Sequence, residues 1–151
     1  MSASPEILQL VMGLLPHGPE FRFVDRMVSL TSGVCGVGEY RVRGDEYYLR
    51  GHLPGEPILP GVLLVEAAAQ VAGIVAQEDP LHPRWPRLKL TAVRAVKILG
   101  SARPGETLRI EAAITGVLGA MIQAEAEAFV AETKVLSAEL TLTGNGAAGK
   151  K

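Results

Sequence analysis

Apolar residues in this chain recur with two different periods, and the change between them divides it. Between residues 62 and 77, Val62, Leu63, Val65, Ala69, Ala72, Val75 and Ala76 spread round most of a helical circumference. That spread predicts a buried α-helix rather than an amphipathic surface one. From residue 107 the period falls to two. Leu108, Ile110, Ala112 and Ile114 alternate with Thr107, Arg109, Glu111 and Ala113. Ile122, Ala124, Ala126 and Ala128 alternate with Gln123, Glu125 and Glu127, and Leu136, Ala138, Leu140 and Leu142 with Ser137, Glu139 and Thr141. Strands with one apolar and one polar face belong to an antiparallel sheet with one solvated side. The alanines at 124, 126 and 128 would let the helix approach that sheet closely.

The flanking segments complete the order. Residues 5–14 predict a short helix, capped by Ser4, opened by Pro5 and apolar along Ile7, Leu10, Val11 and Leu14. Two strands are expected at about 21–31 and 34–43, with Gly36 and Gly38 placed to bend or bulge the second. Residues 44–60 read as loop and 80–87 as a proline-broken crossover. The sum is an α+β chain: one helix as the axis of a single curved antiparallel sheet. It forms one domain over 1–143, followed by a flexible tail at 144–151.

Composition narrows the function classes. A chain of 151 residues with formal charge −1 lacks the basic excess expected of a nucleic-acid binder. Its single cysteine, Cys35, forms no internal disulfide and fits a reducing, cytoplasmic setting as a small strand residue. No apolar run reaches the ~20 residues of a membrane span, and the N-terminus lacks the basic opening of a signal peptide. No membrane insertion is expected.

The chemistry concentrates at 51–77. Gly51, Pro54, Gly55, Pro57, Pro60 and Gly61 restrict the backbone around His52, and a restricted loop can hold a side chain at fixed geometry. Histidine titrates near neutrality, as a general base requires. Glu66 is the only carboxylate on the helix before its end, and a charge there needs a partner or an opening to a cavity. A buried carboxyl group holds its proton more firmly than one in water, which suits a proton donor. Gln70 lies one turn on and can orient Glu66 by a hydrogen bond. Gly61, fixed by Pro60, opens the helix with N–H groups free to bind an oxygen that gains negative charge. His17, His52 and His82 lack the spacing of a helical metal pair, so no metal is expected.

The stretch GHLPGEPILPGVLLVEAAAQ closely resembles the active-site segment of the (3R)-hydroxyacyl-acyl-carrier-protein dehydratases of FabZ type. LPHGPEFRFVDR at 15–26 and VKILGSARPGE at 96–106 are similar to two further family segments. The resemblance implies the hotdog fold. It also implies reversible dehydration of (3R)-3-hydroxyacyl thioesters on acyl carrier protein to trans-2-enoyl thioesters in fatty-acid biosynthesis, without a cofactor. By position, His52 matches the catalytic histidine, Glu66 the catalytic carboxylate, and Gly61 the glycine whose N–H binds the thioester carbonyl. Each site would draw its histidine and carboxylate from different subunits of a homodimer, and three such dimers often associate. Leu53 stands where the family has Phe, and Ile98 replaces an aromatic near the acyl tunnel; both bear on acyl preference.

Charge adds an expectation about the partner. Between Leu81 and Gly105 lie six basic residues, Arg84, Arg87, Lys89, Arg94, Lys97 and Arg103, and no acid. Such a stretch would attract an acidic acyl carrier protein. Three competing readings share the fold: an acyl thioesterase, a dehydratase paralogue of another carrier-protein pathway, and a non-catalytic acyl-binding module.

Overall fold

The computed structural model describes residues 2–144; the expected flexible tail, apart from Gly144, lies outside the described residues. Helix α1 spans Pro5–Leu10 and tightens into a 3₁₀ turn over Val11–Leu14. Ser4 caps it as expected, its hydroxyl accepting from the Ile7 N–H at 3.3 Å. A second 3₁₀ turn at Pro19–Phe21 replaces the start of the expected first strand, because Pro19 and the exposed Gly18 favour a turn over a ladder. The strands begin later, β1 at Arg26–Thr31 and β2 at Cys35–Arg41.

The segment expected as loop contains one helical turn, α2, at Leu49–His52. Helix α3 follows at Gly61–Val75, and then β3 (Lys89–Ile98), β4 (Thr107–Leu118), β5 (Met121–Val130) and β6 (Thr133–Thr143). All six strands form one antiparallel sheet in the order β1-β2-β4-β5-β6-β3. The sheet wraps α3, which touches every strand but β3 closely. This is the hotdog arrangement. Among the described residues no helix is long and apolar enough to cross a membrane.

Helix and sheet meet through small residues. On the sheet side Ala112, Ala124, Ala126, Ala128 and Ala138 are buried, and on the helix Ala67, Ala68 and Ala72 are fully covered. Gly36 and Gly38 join this contact instead of bulging their strand. A Cβ at Gly36 would fall 2.9 Å from Val75 Cγ2, and one at Gly38 would fall 3.0 Å from Val71 Cγ2. The β2–β4 register is unbroken, whereas the neighbouring irregularity lies in β1 between Met27 and Ser29. The two glycines therefore admit the helix valines. Close packing of this kind lets dispersion and burial act along the whole helix.

The inner faces of β4, β5 and β6 are those read from the alternation. Leu108, Ile110, Ile122, Leu136, Leu140 and Leu142 are all buried. The strand β3 differs. It lies at the sheet edge, is paired only with β6, and exposes nearly every side chain. A bulge between Arg94 and Lys97 puts Ala95 in the left-handed region at φ 52°, an unfavourable setting for a residue with a Cβ.

Candidate active site

Two supports converge on the carboxylate of Glu66. Gln70, only 2% exposed, sits one helical turn on and donates from Nε2 to Glu66 Oε2 at 3.0 Å. The same amide locks the segment before β1 onto the helix. Gln70 Oε1 accepts from the Phe23 N–H at 2.8 Å, and Nε2 also donates to the Phe21 carbonyl at 2.9 Å. That segment brings in a residue to which the sequence gives no role in the site: His17 Nε2 lies 3.2 Å from Glu66 Oε2. With the carboxylate ionised, Nε2 is the protonated ring nitrogen, an assignment made from this contact. The other nitrogen, Nδ1, is buried without a hydrogen-bond partner among the described residues. Only residues 15–26 as a motif carried any signal for His17; its distance in sequence from Glu66 concealed the pairing.

Glu66 is therefore less buried than a residue between Val65 and Ala67 suggested, with 21% of its side chain exposed. Its second oxygen makes no hydrogen bond among the described residues. The opening is a cavity of about 500 Å³, within the size range of small-molecule sites. Glu66, Gln70, Gly73 and Gln77 form its helix wall, and Leu14, Leu90 and Leu142 are among its apolar lining. A second groove, about 540 Å³, crosses the outer sheet face. There Glu111 stands opposite Glu127 and Glu125 opposite Glu139 in the strand pairs. It contains no histidine and stands apart from Glu66, so the helix-side cavity is the candidate site.

His52 stands elsewhere within the subunit, being absent from the lining of the Glu66 cavity. It ends α2, half-buried, with Nδ1 3.3 Å from the Ile58 carbonyl. A carbonyl can only accept, so this contact assigns a proton to Nδ1, which in the neutral ring leaves the lone pair on Nε2. The turn that carries it is tethered by a polar knot. The Tyr40 hydroxyl contacts Tyr48 Oη at 2.8 Å and Glu46 Oε2 at 2.7 Å, and Glu46 also accepts from the Arg43 and Gly44 N–H groups. Burial pushes Tyr40 far above an ordinary phenol and Tyr48 up to about 12, so both stay neutral donors. Burial also raises Glu46, but the hydrogen bonds from Arg43, Tyr40 and Gly44 outweigh it and hold the carboxyl below its usual value. Glu46 therefore stays ionised at neutral pH and anchors the turn.

Gly61 starts α3 behind Pro60, and no side chain caps that helix end. The space a side chain would need at Gly61 is taken by Ile98, whose Cδ1 lies 2.9 Å from an added Cβ. Ile98 thus covers the helix start, and Leu53 follows His52 at the surface. The six basic residues do not form one patch. Arg87 and Lys89 line the Glu66 cavity, and Arg84 stacks on the ring of the buried Trp85 at 4.6 Å. Arg94 pairs with Glu139 at 2.8 Å, Lys97 faces the outer groove, and Arg103 is exposed in the loop before β4. Among the described residues no cluster of three or more His, Cys, Asp or Glu is arranged to hold a metal ion.

The Gln70 clamp yields a stability test. Replacing Gln70 by Leu keeps the bulk but strands the Phe23 N–H and the Phe21 carbonyl. The expected loss is about 1–3 kcal/mol in urea unfolding, with unchanged slope. A variant as stable as the wild type would show that the clamp contributes nothing.

Comparison with known proteins places the chain. A family model described as the FabA-like domain matches residues 15–139. A 3-hydroxyacyl-acyl-carrier-protein dehydratase FabZ from Chloroflexus aggregans is 40% identical over 134 residues, covering 88% of this chain and 92% of that protein. The FabZ of Syntrophobacter fumaroxidans is 39% identical over 133 residues, covering 88% and 90%. Among solved structures, the dehydratase heterocomplex ApeI:P from Xenorhabdus doucetiae superposes with a TM-score of 0.75 at 19% identity, over 89% of this chain and 90% of that one. A family match from Leu15 to Glu139, with such relatives aligned along nearly their whole length, shows that this chain belongs to the FabA-like family and groups with its FabZ-type members.

Proposed function

We propose that this protein is a hydro-lyase that dehydrates (3R)-3-hydroxyacyl thioesters, carried on acyl carrier protein, to trans-2-enoyl thioesters in fatty-acid synthesis. The observation that carries the proposal is Glu66, a helix carboxylate held at Oε2 by Gln70 and His17 and lining a cavity whose walls include Leu14, Leu90 and Leu142. In the reaction His52 Nε2 removes a proton from C2. The electron pair moves toward the thioester carbonyl, whose oxygen is held by the Gly61 N–H and the positive end of α3. Collapse of that enolate forms the C2–C3 double bond and breaks the C3–O bond, while Glu66, entering the step protonated on the oxygen that Gln70 and His17 leave free, delivers that proton to the departing hydroxyl so that it leaves as water. Pro60 fixes the helix start, Gln70 and His17 orient the carboxylate, and Leu53 and Ile98 flank the acyl path.

His52 and Glu66 do not share a cavity within one subunit, so the reaction needs a second chain. The edge strand β3 supports a homodimer, because Val93, Val96 and Ile98 are exposed along an unpaired edge. Such an edge is a template for strand addition. In the dimer each site takes His52 from one subunit and Glu66 from the other. Three dimers would form the hexamer implied by the resemblance, a size that sedimentation measures directly.

For the carrier protein we assign docking chiefly to Arg87 and Lys89, which line the cavity that holds Glu66. Arg84, Arg94, Lys97 and Arg103 contribute longer-range attraction to an acidic partner. Reversing Arg87 to Glu is expected to lower kcat/KM for carrier-linked substrates while changing a short thioester mimic far less. Equal effects on both would remove Arg87 from the docking role.

The chemistry is tested by single variants. His52→Ala and Glu66→Gln are each expected to lower turnover by about 10²- to 10⁴-fold while leaving thermal unfolding near the wild type. Hydration of the enoyl thioester should fall in parallel, since the reaction is reversible. Release of free thiol in place of enoyl product would reassign the site to thioester hydrolysis. Normal turnover in either variant would remove that residue from catalysis.

A further inference from the structure

Crowding or a positive φ accounts for many of the glycines among the described residues. At Gly36, Gly38, Gly61 and Gly100 an added Cβ would lie 2.9–3.0 Å from a packed side chain, so crowding explains the residue. At Gly73 an added Cβ would meet nothing within 4 Å. Its φ is not positive, and it lies inside α3, where glycine weakens a helix relative to alanine. Neither packing nor backbone conformation asks for glycine there. What its bare backbone leaves is space, and that space belongs to the Glu66 cavity, which Gly73 lines.

The cavity has a direction. Glu66, Gln70, Gly73 and Gln77 follow one another along a single face of α3 and its C-terminal turn. At 1.5 Å per residue, Gly73 lies about 10 Å from Glu66 along the axis and Gln77 about 16 Å. Trp85, which is 2% exposed, lines the cavity beside Gln77. Its backbone is pinned at both polar atoms by one side chain. Gln77 Nε2 donates to the Trp85 carbonyl at 2.5 Å, and the Trp85 N–H donates to Gln77 Oε1 at 2.9 Å. Leu88, Leu90 and Leu142 line the walls beside it. An acyl chain whose reacting carbons sit at Glu66 would therefore run past Gly73 before it meets a fixed floor.

We propose that Gly73 determines how long an acyl chain this site accepts: its missing side chain keeps the channel open from Glu66 to the floor at Trp85. The inference rests on the dehydratase reading above and adds a specificity residue to it. A side chain at 73 would stop the channel about two-thirds of the way from Glu66 to Gln77, without disturbing the groups that move protons.

The test measures kcat/KM for short-chain and long-chain 3-hydroxyacyl thioesters on acyl carrier protein, using the wild type and the variants Gly73→Ala and Gly73→Leu. The long-to-short ratio should fall modestly in the alanine variant and by at least ~10-fold in the leucine variant, as expected when a pocket loses room for the chain. The alanine variant should melt at or above the wild-type temperature, so it keeps the test decisive if leucine fails to fold. A ratio unchanged in every folded variant would overturn the inference. Loss of activity at all lengths together with a shift to smaller particles on gel filtration would also overturn it, making position 73 a contact between subunits. If the wild type turns over no 3-hydroxyacyl thioester of any length, the dehydratase reading falls and this inference with it.

Discussion

Helix α3 can serve as the axis of the sheet only because side chains are nearly absent where the two meet. Alanines on both surfaces and glycines at 36 and 38 bring the backbones together until Val71 and Val75 fill the remaining room. That contact fixes the rotation of the helix about its own axis. Once it is fixed, the opposite face of α3 has no freedom either, and the line from Glu66 through Gln70 and Gly73 to Gln77 must face the segments that cross over it. Site geometry is thus a consequence of core packing. A larger residue in the contact would turn or lift the helix and carry the carboxylate with it.

The two amides on that face are settled chiefly by backbone groups. Gln70 is held by Phe21 and Phe23, and Gln77 by Trp85. Both amides thereby satisfy the rule that buried polar atoms need partners, and both act as rivets between the helix and a chain segment outside the sheet. The contrast with His17 is instructive, since its Nδ1 finds no partner among the described residues. On the other side, Tyr40, Glu46 and Tyr48 tether the turn that carries His52. In the proposed reaction each half of the chemistry would be held within its own subunit, as catalysis by preorganised groups requires. In the proposed dimer the edge strand β3 would set how the two halves meet.

Much of this was readable in the sequence. The all-round apolar character of 62–77 announced a buried helix, and the period-two pattern after 107 gave β4, β5 and β6 with the correct inward faces. Side-chain periodicity reports burial, and burial in these elements is uniform. The same logic failed where local chain stiffness competes with pattern. Pro19 turned the expected start of the first strand into a 3₁₀ turn, and the loop after 44 hid the single turn of α2. Gly36 and Gly38 suggest a bend or bulge while the strand is considered alone; their use emerges only when α3 is packed against them. Glu66, Gln70 and His52 stood out through their settings. Contacts between distant segments, such as His17 with Glu66 or Gln77 with Trp85, leave no periodic trace. The basic run from Arg84 to Arg103 looked continuous, yet strand and loop geometry distributes it over two faces.

The central claim is that a working site needs the imidazole of one chain and the carboxyl group of another. It is tested most directly by mixing two inactive proteins, one carrying His52→Ala and the other Glu66→Gln, under conditions that exchange subunits. A mixed dimer holds one site with both changes and one with neither, so the account predicts that dehydration returns on mixing and scales with the fraction of mixed dimers. Persistent inactivity in a sample shown to contain mixed dimers would contradict it.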